Sequence, residues 1–332
     1  MRPPWIAAQL RQLLAQRGHA WLLQGPSGLG QYDLALGLAQ SWLCDRPGPE
    51  GACGACDSCH QVEVRSHADL VVLMPETAML ALGWPLPEKA QQDLDDKKRK
   101  PSREIRVDAM RDALEFAQRT SGRGRGKVVM VYPAERMNAV TANALLKTLE
   151  EPPGDMRFVL ATEAAHQLLP TIRSRCLGHT LAWPDAPAAA AWLQEEGVPP
   201  AAVPGLLRAA GGRPEDALRL HQAGVDGRSW SQWPKALVRG DMAAIADWGP
   251  AQVVEALQKL CHDLLAVQAG AAPRFFEPQD LPAPGSVAAL TSWWRNLGET
   301  ARTVEHPFNA GLLLEDLVAR ARTALNSGQS RP

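Results

Sequence analysis

Through its first half the chain alternates short apolar runs with amphipathic stretches. AWLLQ (20–24), DLVVLMP (69–75), KVVMVY (127–132), RFVLAT (157–162) and LGHTLAW (177–183) have the length and branched apolar content of buried strands. IRVDAMRDALEFAQR (105–119) sets Ile105, Met110, Leu114 and Ala117 near one helical face. NAVTANALLKTLEE (138–151) reads as a helix stopped by Pro152-Pro153. A glycine-rich turn and a helix to about Cys44 follow the first strand, and AHQLLPTIRSRC reads as a helix or turn. Strands alternating with helices predict an α/β domain whose parallel sheet is covered on both faces.

Beyond about Pro184 the strand pattern stops. DAPAAAAWLQEEG, PAAVPGLLRAAGG and RPEDALRLHQAG are three short helical pieces, enough for a small bundle. From about residue 226 longer amphipathic helices follow, among them 250–270 and 308–325. The expected organisation is an α/β domain over 1–183, a small helical domain over 184–225 and an all-α C-terminal domain over 226–332. Residues 78–104 form an insertion after the second strand. Its stretch Asp93 to Arg103 reads as solvated surface, and Asp93, Asp95, Asp96 and Glu104 nearly cancel Lys97 to Lys100.

Composition narrows the functional classes. A length of 332 residues allows two or three domains, and 45% apolar content supplies real cores. The net charge of −1 gives no overall basic footprint, so any contact with nucleic acid is local or made within an assembly. No apolar run reaches the roughly 18 residues of a membrane span. The N-terminus reads as an amphipathic helix without the apolar core and small-residue cleavage site of a signal peptide. A cytoplasmic protein is expected.

Four of the six cysteines crowd together as Cys44-x8-Cys53-x2-Cys56-x2-Cys59. In a reducing compartment such spacing points to metal rather than disulfides. Four thiolates complete a tetrahedral zinc site and leave no position for water, so one structural zinc per chain is expected over the module 44–59. His60 and His67 are spare donors. Arg46 and Arg65 face Asp45, Glu50, Asp57 and Glu63 in the same module, a poor grip on phosphate. Cys261, on an amphipathic stretch, reads as a buried structural thiol.

GPSGLGQY (25–32) has the strand–turn–helix setting and glycine separation of a phosphate-binding loop, with Gly25, Gly28 and Gly30. The position of the phosphate-binding lysine is Gln31, and the position of the Mg²⁺-binding hydroxyl is Tyr32. The neighbouring strand that should end in a carboxylate runs instead into Tyr132-Pro133, with Glu135 three residues past Tyr132. Two separate losses predict that this chain holds no ATP and hydrolyses none, although the surviving amides retain a phosphate-binding geometry.

At this point the residues resemble a known family. The cysteine module after the first helix, TANALLKTLEEPP (141–153), TIRSRC (171–176) and the three-part layout resemble the delta-prime subunits of the bacterial DNA polymerase III clamp loader, within the AAA+ proteins. The resemblance covers nearly the whole chain, strongly over 18–182 and only in helical pattern beyond about 226. It implies an AAA+ domain, a helical lid and a C-terminal collar. It implies a circular assembly with three gamma or tau subunits and one delta subunit, which places the beta sliding clamp on primed DNA as part of the DNA polymerase III holoenzyme. It also implies a role for Arg175, flanked by Ser174 and Cys176: an arginine finger reaching a neighbouring subunit's ATP. Read from the residues alone, Arg175 equally caps a helix C-terminus. Glu215 stands where active relatives carry a sensor arginine. SGRGRGK (121–127) resembles an Arg-Gly stretch of the ATP-hydrolysing subunits. There Arg123, Arg125 and Lys127 are either contacts to template or partner, or simply a solvated basic loop. Two other classes stay open on the sequence: an active AAA+ ATPase or helicase loader, and a stand-alone zinc-ribbon nucleic-acid-binding protein.

Overall fold

The structure, a computed structural model, describes residues 3–241, 243–245, 248–304 and 309–327. The chain forms two compact units, 1–188 and 189–332. The first unit is built on five strands, β1 (Ala20–Gln24), β2 (Leu70–Leu73), β3 (Lys127–Val131), β4 (Met156–Thr162) and β5 (Leu177–Thr180). They form one parallel sheet in the order β2-β3-β4-β1-β5. The sequence explains this placement. KVVMV of β3 is buried at every position and takes an inner place, whereas LGHT of β5 is largely exposed and takes an edge. β2 ends at Leu73, two residues before the predicted stop, and Pro75 starts the next helix as its N-cap. β5 ends at Thr180, with one further bond from the Leu181 amide to the Gln24 carbonyl at 2.8 Å.

Helices α1 (Pro4–Leu14), α2 (Gln31–Leu43), α3 (Asp57–Glu63), α4 (Glu76–Ala81), α5 (Glu88–Asp95), α6 (Val107–Gln118), α7 (Ala139–Glu150) and α8 (Pro170–Arg173) complete this unit. α6 and α7 pack Met110, Ala113, Ala117, Leu145 and Leu149 against Leu22, Val129, Val131, Phe158 and Leu160 of the sheet. The helical face predicted over 105–119 is thus the buried one, except that Ile105 precedes the helix. Its amide donates to the Arg136 carbonyl at 2.9 Å, and its side chain is fully buried. α2 buries Leu34, Ala35, Leu38, Ala39 and Leu43 completely, which fixes the turn before it against the sheet.

The insertion is largely exposed over Asp93 to Arg103, as expected, and α5 buries none of its residues. Its two helices are tied down at Glu76, which is 6% exposed. The Glu76 carboxylate accepts from both Nη atoms of Arg99 at 2.5 and 2.8 Å and from the Ser102 amide at 2.8 Å, with Arg106 at 3.7 Å. Lys97, Lys98 and Lys100 stay exposed, as the charge density signals, while the Glu76 carboxylate holds the partly buried Arg99.

The second unit is helical: α9 (Ala186–Glu195, whose first turn lies at the boundary), α10 (Val203–Ala209), α11 (Pro214–Gln222), α12 (Gly227–Arg239), α13 (Pro250–Gln268), α14 (Val287–Thr303) and α15 (Ala310–Asn326). The start predicted for the last helix, residue 308, lies outside the described residues. Its core includes an aromatic cluster in which Trp230 stacks on Phe276 at 4.9 Å, with Trp233 and Trp248 around them. Asp263, fully buried, accepts the amides of Arg274, Phe275 and Phe276 at 2.9, 2.7 and 2.9 Å. Cys261 is buried, and burial pushes its thiol up to about 12.

Candidate functional site

Three constellations of the first unit carry chemistry. The first is the glycine turn between β1 and α2. Gly28 and Gly30 take φ of 77° and 96°, a left-handed backbone that favours glycine. Gln31 opens α2 and is 2% exposed. Its Nε2 donates to the carbonyl oxygens of Gly25 at 2.8 Å and Pro26 at 2.5 Å. The side chain in the lysine position therefore turns back onto the loop and pins it, and brings no positive charge to a phosphate.

Tyr32, the next residue of α2, is half-buried. Its ring lies 5.5 Å from that of Tyr132, the residue just past β3. Trp84 of the insertion donates from Nε1 to the Tyr32 hydroxyl oxygen at 2.7 Å. The Arg65 guanidinium lies 5.7 Å from the Trp84 ring and donates to the Leu82 carbonyl at 2.6 Å. Burial raises the Tyr32 phenol above its ordinary value. Glu135 folds back so that its carboxylate accepts from the Thr162 hydroxyl at 2.6 Å and the Glu163 amide at 3.3 Å, at the end of β4. Glu215 lies in the second unit, in the first turn of α11, where its charge complements the helix N-terminus.

The second constellation is the cysteine module. The sulfurs of Cys44, Cys53, Cys56 and Cys59 all lie within 4.8 Å of one another. Two sulfurs on one tetrahedral ion at about 2.3 Å stand about 3.8 Å apart. Cys44 and Cys56 are 3.8 Å apart. The amides of Arg46 and Cys53 donate to the Cys44 sulfur at 3.4 and 3.3 Å, and that of Cys59 to the Cys56 sulfur at 3.5 Å, an environment suited to thiolates. The Ala55 amide holds the Cys53 thiol down to about 6, and burial pushes Cys59 up to about 12. These four residues fit a metal ion such as zinc, and neither His60 nor His67 joins the set. Gly51, at φ 106°, makes the tight return of the knuckle; a Cβ there would stand 2.7 Å from the Ser41 hydroxyl.

The module is braced from outside. Asp45 accepts from the Ser58 hydroxyl at 2.8 Å and from Arg123 Nη2 at 3.3 Å. Ser58 holds the Asp45 carboxyl below its ordinary value. The loop carrying Arg123 is itself wrapped around Asp69, which accepts from the Ser121 hydroxyl at 2.9 Å and from the Gly122 and Arg123 amides at 2.8 and 3.0 Å. Of the three basic residues of 121–127, Lys127 is buried. Its Nζ donates to the Phe116 carbonyl and lies 4.2 Å from that residue's ring. Arg125 is exposed.

The third constellation is the junction of α7 and α8. Arg175 donates from Nε at 2.6 Å and from Nη2 to one oxygen of Glu150, the last residue of α7. Its Nη1 donates to the Thr171 carbonyl at 2.9 Å and to the Ser174 hydroxyl at 3.4 Å. Arg175 thus does cap α8, as the residues alone allowed, and stays 30% exposed. Cys176 packs against the sheet core, and burial pushes its thiol up to about 12, so it is a structural neighbour of the arginine. Glu150, Asp45 and Trp84 were missed from the sequence. Glu150 lies inside the quoted TLEEPP run and Asp45 follows a metal-ligand candidate, so both had a positional signal; Trp84 had none.

A family model described as DNA polymerase III, delta subunit, matches residues 6–184. Over 226 residues the chain is 41% identical to DNA polymerase III subunit delta' of Pseudomonas aeruginosa, spanning 67% of this chain and 62% of that protein. It is 30% identical to subunit delta' of Yersinia pestis over 351 residues, 98% of this chain and 96% of that one. It is 31% identical to subunit tau of Salmonella typhimurium over 229 residues, 66% of this chain and 32% of the other. Among solved structures, a gamma subunit-related protein of Thermotoga maritima aligns over 96% of this chain and 99% of its own, with 18% identity and a TM-score of 0.48.

Proposed function

From the premise that this chain belongs to the delta-prime family of DNA polymerase III clamp-loader subunits, we propose that it is the subunit that does not hydrolyse ATP and supplies Arg175 to a neighbour. The observation that carries this reading is the glycine turn. Gln31 and Tyr32 spend their polar atoms on Gly25, Pro26 and Trp84, in the positions where an ATPase presents an ammonium and a metal-binding hydroxyl. A subunit so arranged has no ligand-driven switch of its own and suits a static role. Arg175 brings a planar, permanently charged fork to a half-exposed junction, the residue type that stabilises charge on a transferring phosphoryl group.

In this reading the partners are three gamma or tau subunits, one delta subunit, and through them the beta sliding clamp and primer-template DNA. Relatives named tau and gamma align with this chain, which supports a shared assembly of like subunits. Residues 184–225 serve as the lid and 226–332 as the collar that joins the ring. The four cysteines hold one zinc per chain in a structural role, because four sulfurs leave no position for a substrate. Among the described residues no helix is long and apolar enough to cross a membrane, in keeping with cytoplasmic replication work.

The test is assembly and turnover. The purified chain alone shows no Mg²⁺-dependent hydrolysis, co-purifies with gamma or tau and delta, and raises the DNA-stimulated ATPase of that mixture. Hydrolysis by the isolated chain, lost on Gln31→Ala, would overturn the proposal.

A further inference from the structure

Arg175 is a cation whose hydrogen-bonding capacity is already mostly spent within its own chain. A guanidinium carries five N–H donors. The bonds to Glu150 use two of them, and those to Thr171 and Ser174 use two more. One N–H, on Nη2, is left, whereas a bidentate grip on phosphate takes two. The anchor itself is firm. Glu150 ends α7, and Pro152 and Pro153 follow it closely. A carboxylate there is disfavoured by the negative end of its helix, so a neighbouring cation is drawn to it. Yet the pair is open to water, with side-chain exposures of 30% for Arg175 and 48% for Glu150. Such pairs are weak and exchange readily.

We infer that Glu150 is a positioning residue: an exchangeable anion that parks the Arg175 guanidinium at the α7–α8 junction and yields it to a triphosphate held by the adjoining subunit. This rests on the reading of Arg175 as acting in trans. The exchange moves no proton and breaks no covalent bond. The guanidinium stays charged throughout, and the Nε and Nη2 donors pass from one carboxylate oxygen to phosphate oxygens that carry more charge. Thr171 and Ser174 hold the other side of the fork meanwhile, so the group pivots rather than searches. The parked pair competes with the phosphate in ground and transition states alike, so it acts on KM more than on kcat.

The test uses the reconstituted complex of full-length chains, with ATP as ligand and primed DNA and clamp present or absent. The site adjoining this chain is identified as the component of nucleotide binding and turnover that Arg175→Ala removes. Glu150→Gln, which keeps the size and loses the charge, is expected to lower KM for that component about two- to fivefold, the scale of a half-exposed ion pair. Its kcat stays within about twofold, and Glu150→Asp restores the parent KM. The double variant Glu150→Gln with Arg175→Ala matches Arg175→Ala alone in its overall dependence of turnover on ATP. An unchanged or raised KM in Glu150→Gln, with Arg175→Ala still impaired, overturns the parking role and leaves the in-trans role standing. A double variant that reaches half-maximal turnover at lower ATP than Arg175→Ala alone also overturns it. If Arg175→Ala removes no component at all, the in-trans reading fails and this inference with it.

Discussion

Glu76 offers the sharpest structural perturbation, because one carboxylate organises the insertion that carries Trp84 to Tyr32. It receives a two-pronged guanidinium, a backbone amide and a more distant second arginine while 6% exposed. Removing one partner of a buried pair costs about 3–5 kcal/mol. Here the Arg99 side chain is 25% exposed and keeps Asp93 at 3.6 Å, so the expected cost of Glu76→Gln is reduced, to about 2–3 kcal/mol. For a unit of this size that corresponds to a fall in Tm of about 5–10 °C. The pH dependence follows from the direction of the shift. Hydrogen bonding to Arg99 holds the Glu76 carboxyl below its ordinary value of 4.5. Its stabilisation is therefore fully present above 4.5 and is lost as pH falls through the lower folded value. Thermal melts of parent and Glu76→Gln chains, at neutral pH and in acid, read both effects. The two should converge in acid, and hydrogen exchange over 76–103 should rise in the variant. A Tm change within about 1 °C at neutral pH, or a gap that persists unchanged in acid, would refute this account of the clamp.

Four further outcomes follow from the other constellations. Gln31→Lys with Tyr32→Thr should not confer ATP hydrolysis, because the end of β3 still presents Tyr132 and the Glu135 carboxylate is held by Thr162; steady-state turnover of the isolated chain checks this. Metal analysis should find about one zinc per chain, and chelation should speed hydrogen exchange in 121–126, since Arg123 is braced on Asp45 beside a ligand cysteine. Asp45→Asn should reproduce that faster exchange while keeping the metal. Arg125→Ala should leave exchange in that loop unchanged, as Arg125 is exposed and outside the brace.

The pattern of apolar runs located all five strands, since four of them are nearly continuous apolar segments and the fifth still carries Leu177 at its start. Their order in the sheet required pairing information that no single run contains. The four cysteines were legible because their close spacing signals sulfurs that could share one ion, and the fold brings them together. The glycine turn was legible as a framework, but the destination of Gln31 was not: a neutral amide in that position has many partners, and only the folded loop offers it two carbonyls. The insertion was legible as solvated surface, but its tie to Glu76 was not. Dense charge signals solvent on average, whereas Arg99 and Arg106 lie far from Glu76 in sequence and meet it only after the chain turns back. Lys127 was read both as the start of the strand 127–132 and as part of the basic stretch 121–127, and the structure buries it at the start of β3.

The central claim is that this chain leaves hydrolysis to its neighbours and contributes to one of their sites through Arg175. Its most direct test is the DNA- and clamp-stimulated ATPase of the reconstituted complex, measured with the parent chain and with Arg175→Ala at matched assembly. The account predicts an intact complex with a clearly reduced rate for the variant. An equally assembled complex with an unchanged rate at saturating ATP, DNA and clamp would contradict it.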